Sequence, residues 1–149
     1  MKTRTLIYVS ILFSAVTLLF AEDVKRTISE TEFFEVFSGT WVNEDYLGGA
    51  YYQQKIINYS DGMWELYDFI PDKEYDFYGK YTMDDMWVDS NGDIWFKARW
   101  EFLVHGYKYF LLGKISNSVT VLEIVYQESK YPTEISPIEG MYNIRYRQE

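Results

Sequence analysis

The chain has 149 residues, enough for one ordinary domain with one hydrophobic core but too few for two. Its 23 acidic against 14 basic residues give a net charge of −9, which argues against nucleic acids and anionic membrane surfaces as partners. The absence of cysteine excludes disulfides, thiolate metal sites and a lipidated N-terminal cysteine, so packing alone must stabilise the fold.

The first 21 residues are organised like a secretory signal peptide. Lys2 and Arg4 form a basic start, an uncharged apolar run extends from residue 6 to residue 20, and Ala21 precedes two acidic residues. The apolar run is shorter than the ~20 residues of a bilayer-spanning helix, so we expect cleavage after Ala21 rather than anchoring. The mature protein is therefore expected to be secreted or periplasmic, without membrane insertion after the signal is removed.

A short helix is predicted in the lead-in segment 22–36. Ser29 followed three residues later by Glu32 is a capping-box pattern. Three aromatic residues follow at spacings that share one helical face: Phe33, Phe34 and Phe37. Beyond them the apolar period changes from helical to two, so we expect residues 37–149 to form one β domain.

Two segments alternate regularly between apolar and polar residues, as strands with one solvated face do. In the first segment the apolar face consists of Tyr75, Phe77, Gly79, Tyr81 and Met83. In the second it consists of Ile94, Phe96, Ala98, Trp100 and Phe102. Further runs rich in β-forming residues span 39–43, 50–59, 63–69, 107–115, 119–126 and 141–147.

The connections between these runs are short and polar, as in 60–62 and 89–93, whereas parallel strands need crossovers of a dozen or more residues. About eight consecutive antiparallel strands leave two exposed edges unless the sheet closes on itself. The sequence therefore predicts an all-β fold, an antiparallel up-and-down barrel of about eight strands preceded by a short N-terminal helix. The longest unpatterned segment, 127–140, is expected to cross one end of the barrel.

A membrane-spanning barrel is the alternative, because a signal peptide and eight strands also describe an outer-membrane protein. Such a barrel needs a continuous apolar band on its outward face. Here the face opposite the aromatic residues carries Lys80, Lys97, Arg99 and Glu101. We therefore expect a barrel that does not insert into a membrane.

The stretch around Trp41 resembles the start of the lipocalin-like, or calycin, barrels. The shared pattern is a helical turn, then Gly39-x-Trp41, then a meander of about eight strands that ends in an Arg-bearing strand. The chain is also similar to small secreted bacterial lipocalin-like proteins of unassigned function, and avidin-type barrels open with a similar Gly-Thr-Trp. The resemblance implies that Trp41 lies across the closed end of the barrel and that Arg145 or Arg147 stacks on it.

The resemblance further implies that a small apolar or amphipathic molecule binds inside the barrel. The candidate ligand contacts are the rings expected to face inward: Tyr75, Phe77, Tyr81, Phe96, Trp100, Tyr107 and Tyr109. An eight-stranded barrel can also be filled by its own side chains. The alternative is then a plugged barrel whose outer surface binds a protein partner or a glycan, with Trp87 and Trp95 as candidate contacts.

The sequence contains no pattern that indicates catalysis or a cofactor. The segment 89–93 resembles the start of a calcium loop, but position six is Ile94 rather than Gly and position twelve is Trp100 rather than Glu. His105 is the only histidine, and one histidine without cysteine cannot form a zinc site of the usual composition. We expect a non-catalytic protein with no metal and no cofactor.

Overall fold

A computed structural model describes residues 25–43, 53–70, 73–103 and 106–149, although the side chains of 53–54, 67–70 and 73–78 are not described. The elements are β1 (Arg26–Thr27), α1 (Glu30–Phe37), β2 (Gly39–Asn43), β3 (Gln53–Asn58), β4 (Met63–Ile70), β5 (Lys73–Val88), β6 (Ile94–Phe102), β7 (Lys108–Ile115), β8 (Val121–Gln127) and β9 (Met141–Arg147). The predicted signal peptide and His105 lie outside the described residues. Within these described ranges, no helix is long and apolar enough to cross a membrane.

Strands β2 to β9 form one closed antiparallel barrel. Each strand pairs with the next along the chain, and β2 also pairs with β9, where Trp41 lies opposite Arg147. The predicted up-and-down barrel of about eight strands with a preceding helix is therefore confirmed. The two-residue strand β1 adds to the end of β5, with Arg26 opposite Val88.

Helix α1 begins at the predicted capping box. The Ser29 hydroxyl oxygen accepts a hydrogen bond from the Glu32 backbone N–H at 3.2 Å, and the Glu32 carboxylate accepts one from the Ser29 N–H at 2.9 Å. The helix stops at Phe37, and the Ser38 N–H donates to the Phe34 carbonyl at 2.9 Å. The two ends of the helix are thus fixed by local hydrogen bonds.

The three buried phenylalanines of α1 cover one end of the barrel. The ring centroid of Phe33 lies 4.9 Å from that of Phe96 on β6. Phe37 lies 5.1 Å from Tyr81 on β5, with the two rings nearly perpendicular. We call this the helix end of the barrel, and the tight turns 59–62, 89–93 and 116–120 lie at the same end. Strands β2, β4, β6 and β8 run toward the opposite end of the barrel, which we call the loop end.

Strand β5 continues to Val88, well past the predicted segment that ends at Met83. The register between β5 and β6 shifts between Met83 and Asp85, which indicates a β-bulge. Arg99 on β6 holds the Asp84 carboxylate at this bulge through two hydrogen bonds of 3.0 and 2.9 Å. A bulge changes the phase of the alternation, so the period-two pattern ends there although the pairing continues.

The segment 128–140, which we call the outer loop, packs against the outer wall of the barrel. The Tyr131 hydroxyl donates to the Asp84 carboxylate on β5, and its ring lies 5.0 Å from that of Phe110 on β7. Pro132 of the same segment is buried. The expectation that this segment crosses one end of the barrel is therefore wrong, because the outward-facing residues of β5 to β7 provide an apolar and charged surface for it.

Candidate functional site

The helix end is closed by Trp41 and Arg147. Trp41 is fully buried, and its indole N–H donates to the Phe37 carbonyl at 2.9 Å. The Arg147 guanidinium carbon lies 5.6 Å from the centre of the Trp41 ring, so Arg147 rather than Arg145 covers the indole. Its two terminal nitrogens donate to the carbonyls of Val36 and Ser38 at 2.8 and 3.0 Å. These contacts tie the last strand to the end of the helix.

Gly39 is required where the chain leaves the helix and enters β2. Its φ of +126° lies in a region that residues with a side chain rarely adopt. A Cβ atom at this position would also lie 3.4 Å from the Arg147 guanidinium. The Gly-x-Trp pattern therefore serves the packing of the helix end.

Arg145 lies two residues before Arg147 and is a buried cation. It is 2 % exposed, and its Nε donates to the Asn143 side-chain oxygen at 2.7 Å. Its terminal nitrogen Nη1 has no hydrogen-bond partner. Within the part of the chain that the structure describes, no carboxylate lies within ion-pair distance of it. Burying an unpaired charge is unfavourable, so a ligand that supplies an acceptor would be stabilised here.

Three aromatic side chains of the interior also carry buried polar atoms without a partner. These atoms are the indole nitrogens of Trp64 and Trp100 and the hydroxyl of Tyr81. The rings contact one another, since Trp64 and Trp100 are 4.9 Å apart and Tyr81 stacks on Trp100 at 6.2 Å. We call Trp64, Tyr81, Trp100 and Arg145 the mid-barrel layer.

The charge of Arg145 acts on the phenol of Tyr81. Burial raises the pKa of Tyr81 above its ordinary value of 10.0, and the neighbouring Arg145 cation opposes that increase. The Tyr81 hydroxyl is therefore protonated at neutral pH and can donate a hydrogen bond. Together with the guanidinium and the two indoles, the mid-barrel layer offers several N–H and O–H donors and one positive charge. This set suits a ligand group that accepts hydrogen bonds and carries negative charge.

The interior between the mid-barrel layer and the loop end is aromatic. Phe102, Tyr109 and Tyr126 lie there and are partly buried. Phe102 lies 4.8 Å from Trp100, and Tyr126 lies 5.3 Å from it, measured between ring centroids. An amphipathic molecule would thus meet polar groups in the middle of the barrel and rings toward the loop end.

The predicted ligand contacts occupy different places. Tyr81 and Trp100 belong to the mid-barrel layer, and Tyr109 lies toward the loop end. Phe96 packs under the helix and directly over Gly113, where an added Cβ atom would lie 2.1 Å from its ring. The expectation that Tyr107 faces inward is wrong, because this residue precedes β7 and is 60 % exposed.

Tyr75 and Phe77 can be placed only by the register of their backbone. Tyr75 lies opposite Asp68, and Phe77 lies opposite Leu66. Their side chains are outside the described residues. Their role as ligand contacts stays a prediction.

Sequence reasoning did not identify Trp64 or Arg145 as interior polar groups. Trp64 alternates with the buried Leu66, and this period places it on the inward face of β4. Its indole lies over Gly79 of the next strand, where an added Cβ atom would be 2.1 Å away. Arg145 could have been identified by its spacing from Arg147. Residues two apart in a strand point to the same face, so both arginines are expected on the inward face of β9.

Comparison with known proteins gives no relative, since no family model, curated protein or solved structure matches this chain. The closed eight-stranded barrel is compatible with a lipocalin-like fold. Among the residues with described positions, no group of three or more histidine, aspartate or glutamate side chains is placed to hold a metal ion.

Proposed function

We propose that this protein is a lipocalin-like, non-catalytic binding protein, secreted or periplasmic, that holds a small amphipathic molecule with an anionic head group inside its barrel. The proposal rests on one observation above all. Arg145 is a buried cation with an unpaired N–H donor and, among the described residues, no carboxylate partner.

A carboxylate head group would satisfy the mid-barrel layer. Hydrogen bonds between ionised groups are roughly twice as strong as neutral ones, and they are stronger still in a site without bulk water. The Arg145 guanidinium would provide the charge, while Tyr81 and the indole of Trp100 would provide further donors. An alcohol or an alkane of the same length would leave the cation uncompensated.

The apolar body of such a ligand would lie toward the loop end. Phe102, Tyr109 and Tyr126 are partly buried there, and helix α1 with its phenylalanines blocks the other end. The ligand would therefore enter at the loop end with its head group leading. Burial of its apolar part would contribute roughly 0.8 kcal/mol for each CH₂ group.

The test compares straight-chain carboxylates with alcohols of equal length by isothermal titration calorimetry. We expect the protein to bind the carboxylates at least tenfold more tightly, because a hydrogen bond to a charged group contributes about 1.5–3 kcal/mol. Arg145→Met should remove this preference while keeping the fold, and Arg99→Met, which removes an arginine from the outer wall, should leave it unchanged.

Mass spectrometry of an organic extract of the purified protein provides a second measurement. An amphipathic acid in the extract of the unmodified protein, and its loss from the Arg145→Met variant, would support the proposal. Two results together would overturn the proposal. These are an extract that contains no amphipathic acid, and carboxylates that bind no more tightly than the alcohols or do not bind at all.

A further inference from the structure

A cleft of about 420 Å³ lies on the outer wall of the barrel, between strands β5 to β7 and the outer loop. This volume falls in the range of roughly 300–1,000 Å³ that is typical of small-molecule sites. Its lining includes Lys25, Trp87, Asp89, Trp95, Lys97 and Tyr131. The lining residues of β5 and β6 alternate with inward-facing ones, so the barrel wall separates this cleft from the interior.

One wall of the cleft is a pair of tryptophans. Trp87 on β5 lies directly opposite Trp95 on β6, with the ring planes 9° apart and the centroids 6.1 Å apart. The indole N–H of Trp95 donates to the Asp89 carboxylate at 2.9 Å, which fixes the orientation of the ring. Tyr131 on the other wall is held by its hydrogen bond to Asp84. Both walls are therefore ordered by contacts within the protein, which lowers the entropic cost of binding.

The cleft is cationic although the chain carries a net charge of −9. Lys25 and Lys97 line it, and neither ammonium group lies within ion-pair distance of any carboxylate that the structure describes. Asp89 also lines the cleft and keeps its negative charge, so the three charged lining residues, two lysines and one aspartate, leave one positive charge in excess. The Asp89 oxygens already accept hydrogen bonds from the backbone N–H groups of Asn91 and Asp93, at 2.8 and 3.1 Å, and from the Trp95 indole. Charge complementarity thus favours an anion in this cleft.

Both lysines lie over aromatic rings of the cleft. The Lys25 ammonium is 4.8 Å from the centre of a Trp87 ring, and the Lys97 ammonium is 6.0 Å from the centre of the Tyr131 ring. A cation–π contact at an exposed site is weaker than a hydrogen bond between charged groups. A bound carboxylate can therefore draw the ammonium groups away and uncover the ring faces.

We propose that the outer cleft binds an acidic saccharide, with a uronic-acid ring against the Trp87–Trp95 wall and its carboxylate between Lys25 and Lys97. A sugar ring has apolar C–H faces and a polar rim of hydroxyl groups, and the cleft combines aromatic rings with polar side chains. The carboxylate provides a negatively charged partner for the two lysine ammonium groups. The open shape allows the ring to be one unit of a longer oligosaccharide.

The test titrates a galacturonic-acid disaccharide and a neutral galactose disaccharide into the protein, with tryptophan fluorescence and calorimetry as readouts. We expect the acidic disaccharide to bind at least tenfold more tightly, with an affinity that falls as salt is added. Lys25→Met and Lys97→Met should each weaken it about tenfold. Lys80→Met removes the same charge from an exposed position elsewhere on β5 and should change nothing.

Two further variants separate this site from the interior. Arg145→Met should leave binding of the acidic disaccharide unchanged, while Trp95→Leu should abolish it, with circular dichroism used to verify that the barrel is retained. The proposal is overturned if the two disaccharides bind equally, or if the acidic disaccharide does not bind at millimolar concentration. It is also overturned if Lys80→Met weakens binding as much as Lys97→Met does.

Discussion

The helix end and the mid-barrel layer each contain an arginine of β9, and the two arginines differ in their partners. Arg147 donates to the carbonyls of Val36 and Ser38 and covers the Trp41 indole. Arg145 lies on the same face of the strand two residues earlier and keeps an unpaired N–H group. The partners of Arg147 give it a structural role, whereas the unpaired N–H group of Arg145 is the reason that we propose a ligand there.

The largest effect is expected at the helix end. Trp41→Ala should lower the free energy of unfolding by about 3–5 kcal/mol, because it leaves a cavity under Arg147 and removes the hydrogen bond to Phe37. Urea denaturation followed by circular dichroism measures this loss. Trp87→Ala on the outer wall is the matched control and should cost about 1 kcal/mol or less. Equal losses in the two variants would contradict the structural role of Trp41.

The two arginines can be compared directly by the same substitution. Arg147→Met should cost about 1.5–3 kcal/mol of unfolding free energy, because two carbonyl groups lose a charged donor. Arg145→Met should be neutral or stabilising, since it replaces an unpaired buried charge with an apolar side chain. Urea denaturation of both variants tests the comparison, which fails if Arg145→Met costs as much as Arg147→Met.

A smaller effect is expected in the alkaline titration of Tyr81. Burial raises its pKa in the folded state above the value of 10.0, so this group contributes stability below pH 10 that is lost as the pH rises through the folded pKa. Arg145 opposes the shift, so Arg145→Met should raise the pKa of Tyr81 further. Ultraviolet difference spectra of tyrosinate, with Tyr81→Phe as the reference, measure both values. Ionisation of Tyr81 at its ordinary pKa would show that the phenol is in contact with solvent.

The features predicted correctly from the sequence are those determined locally. The Ser29 capping box and the three phenylalanines defined α1, because helix caps and helical spacing depend on neighbouring residues. Period-two alternation located the strands, and the short connections required antiparallel pairing with closure. Strand β1 was missed because Arg26 and Thr27 are too few to show a period.

The positions of the candidate site residues could be predicted only in part, because they depend on register and burial. Whether Arg145 or Arg147 covers Trp41 is decided by the register of β2 against β9, and a shift of two residues would place Arg145 opposite Trp41 instead. The sequence indicates that rings face inward, but it does not show that the polar atoms of Trp64 and Trp100 lack partners. That property arises only when all eight strands have packed together.

The contact between Trp64 and Gly79 links two positions that are distant in the chain. The indole occupies the space where a side chain at position 79 would lie, only 2.1 Å from an added Cβ atom. Residue sizes at these two positions are therefore inversely coupled, and a larger residue at 79 requires a smaller one at 64. Replacing Trp64 on β4 by a smaller residue and Gly79 on β5 by a larger one would change the shape of the barrel lumen while conserving its total volume.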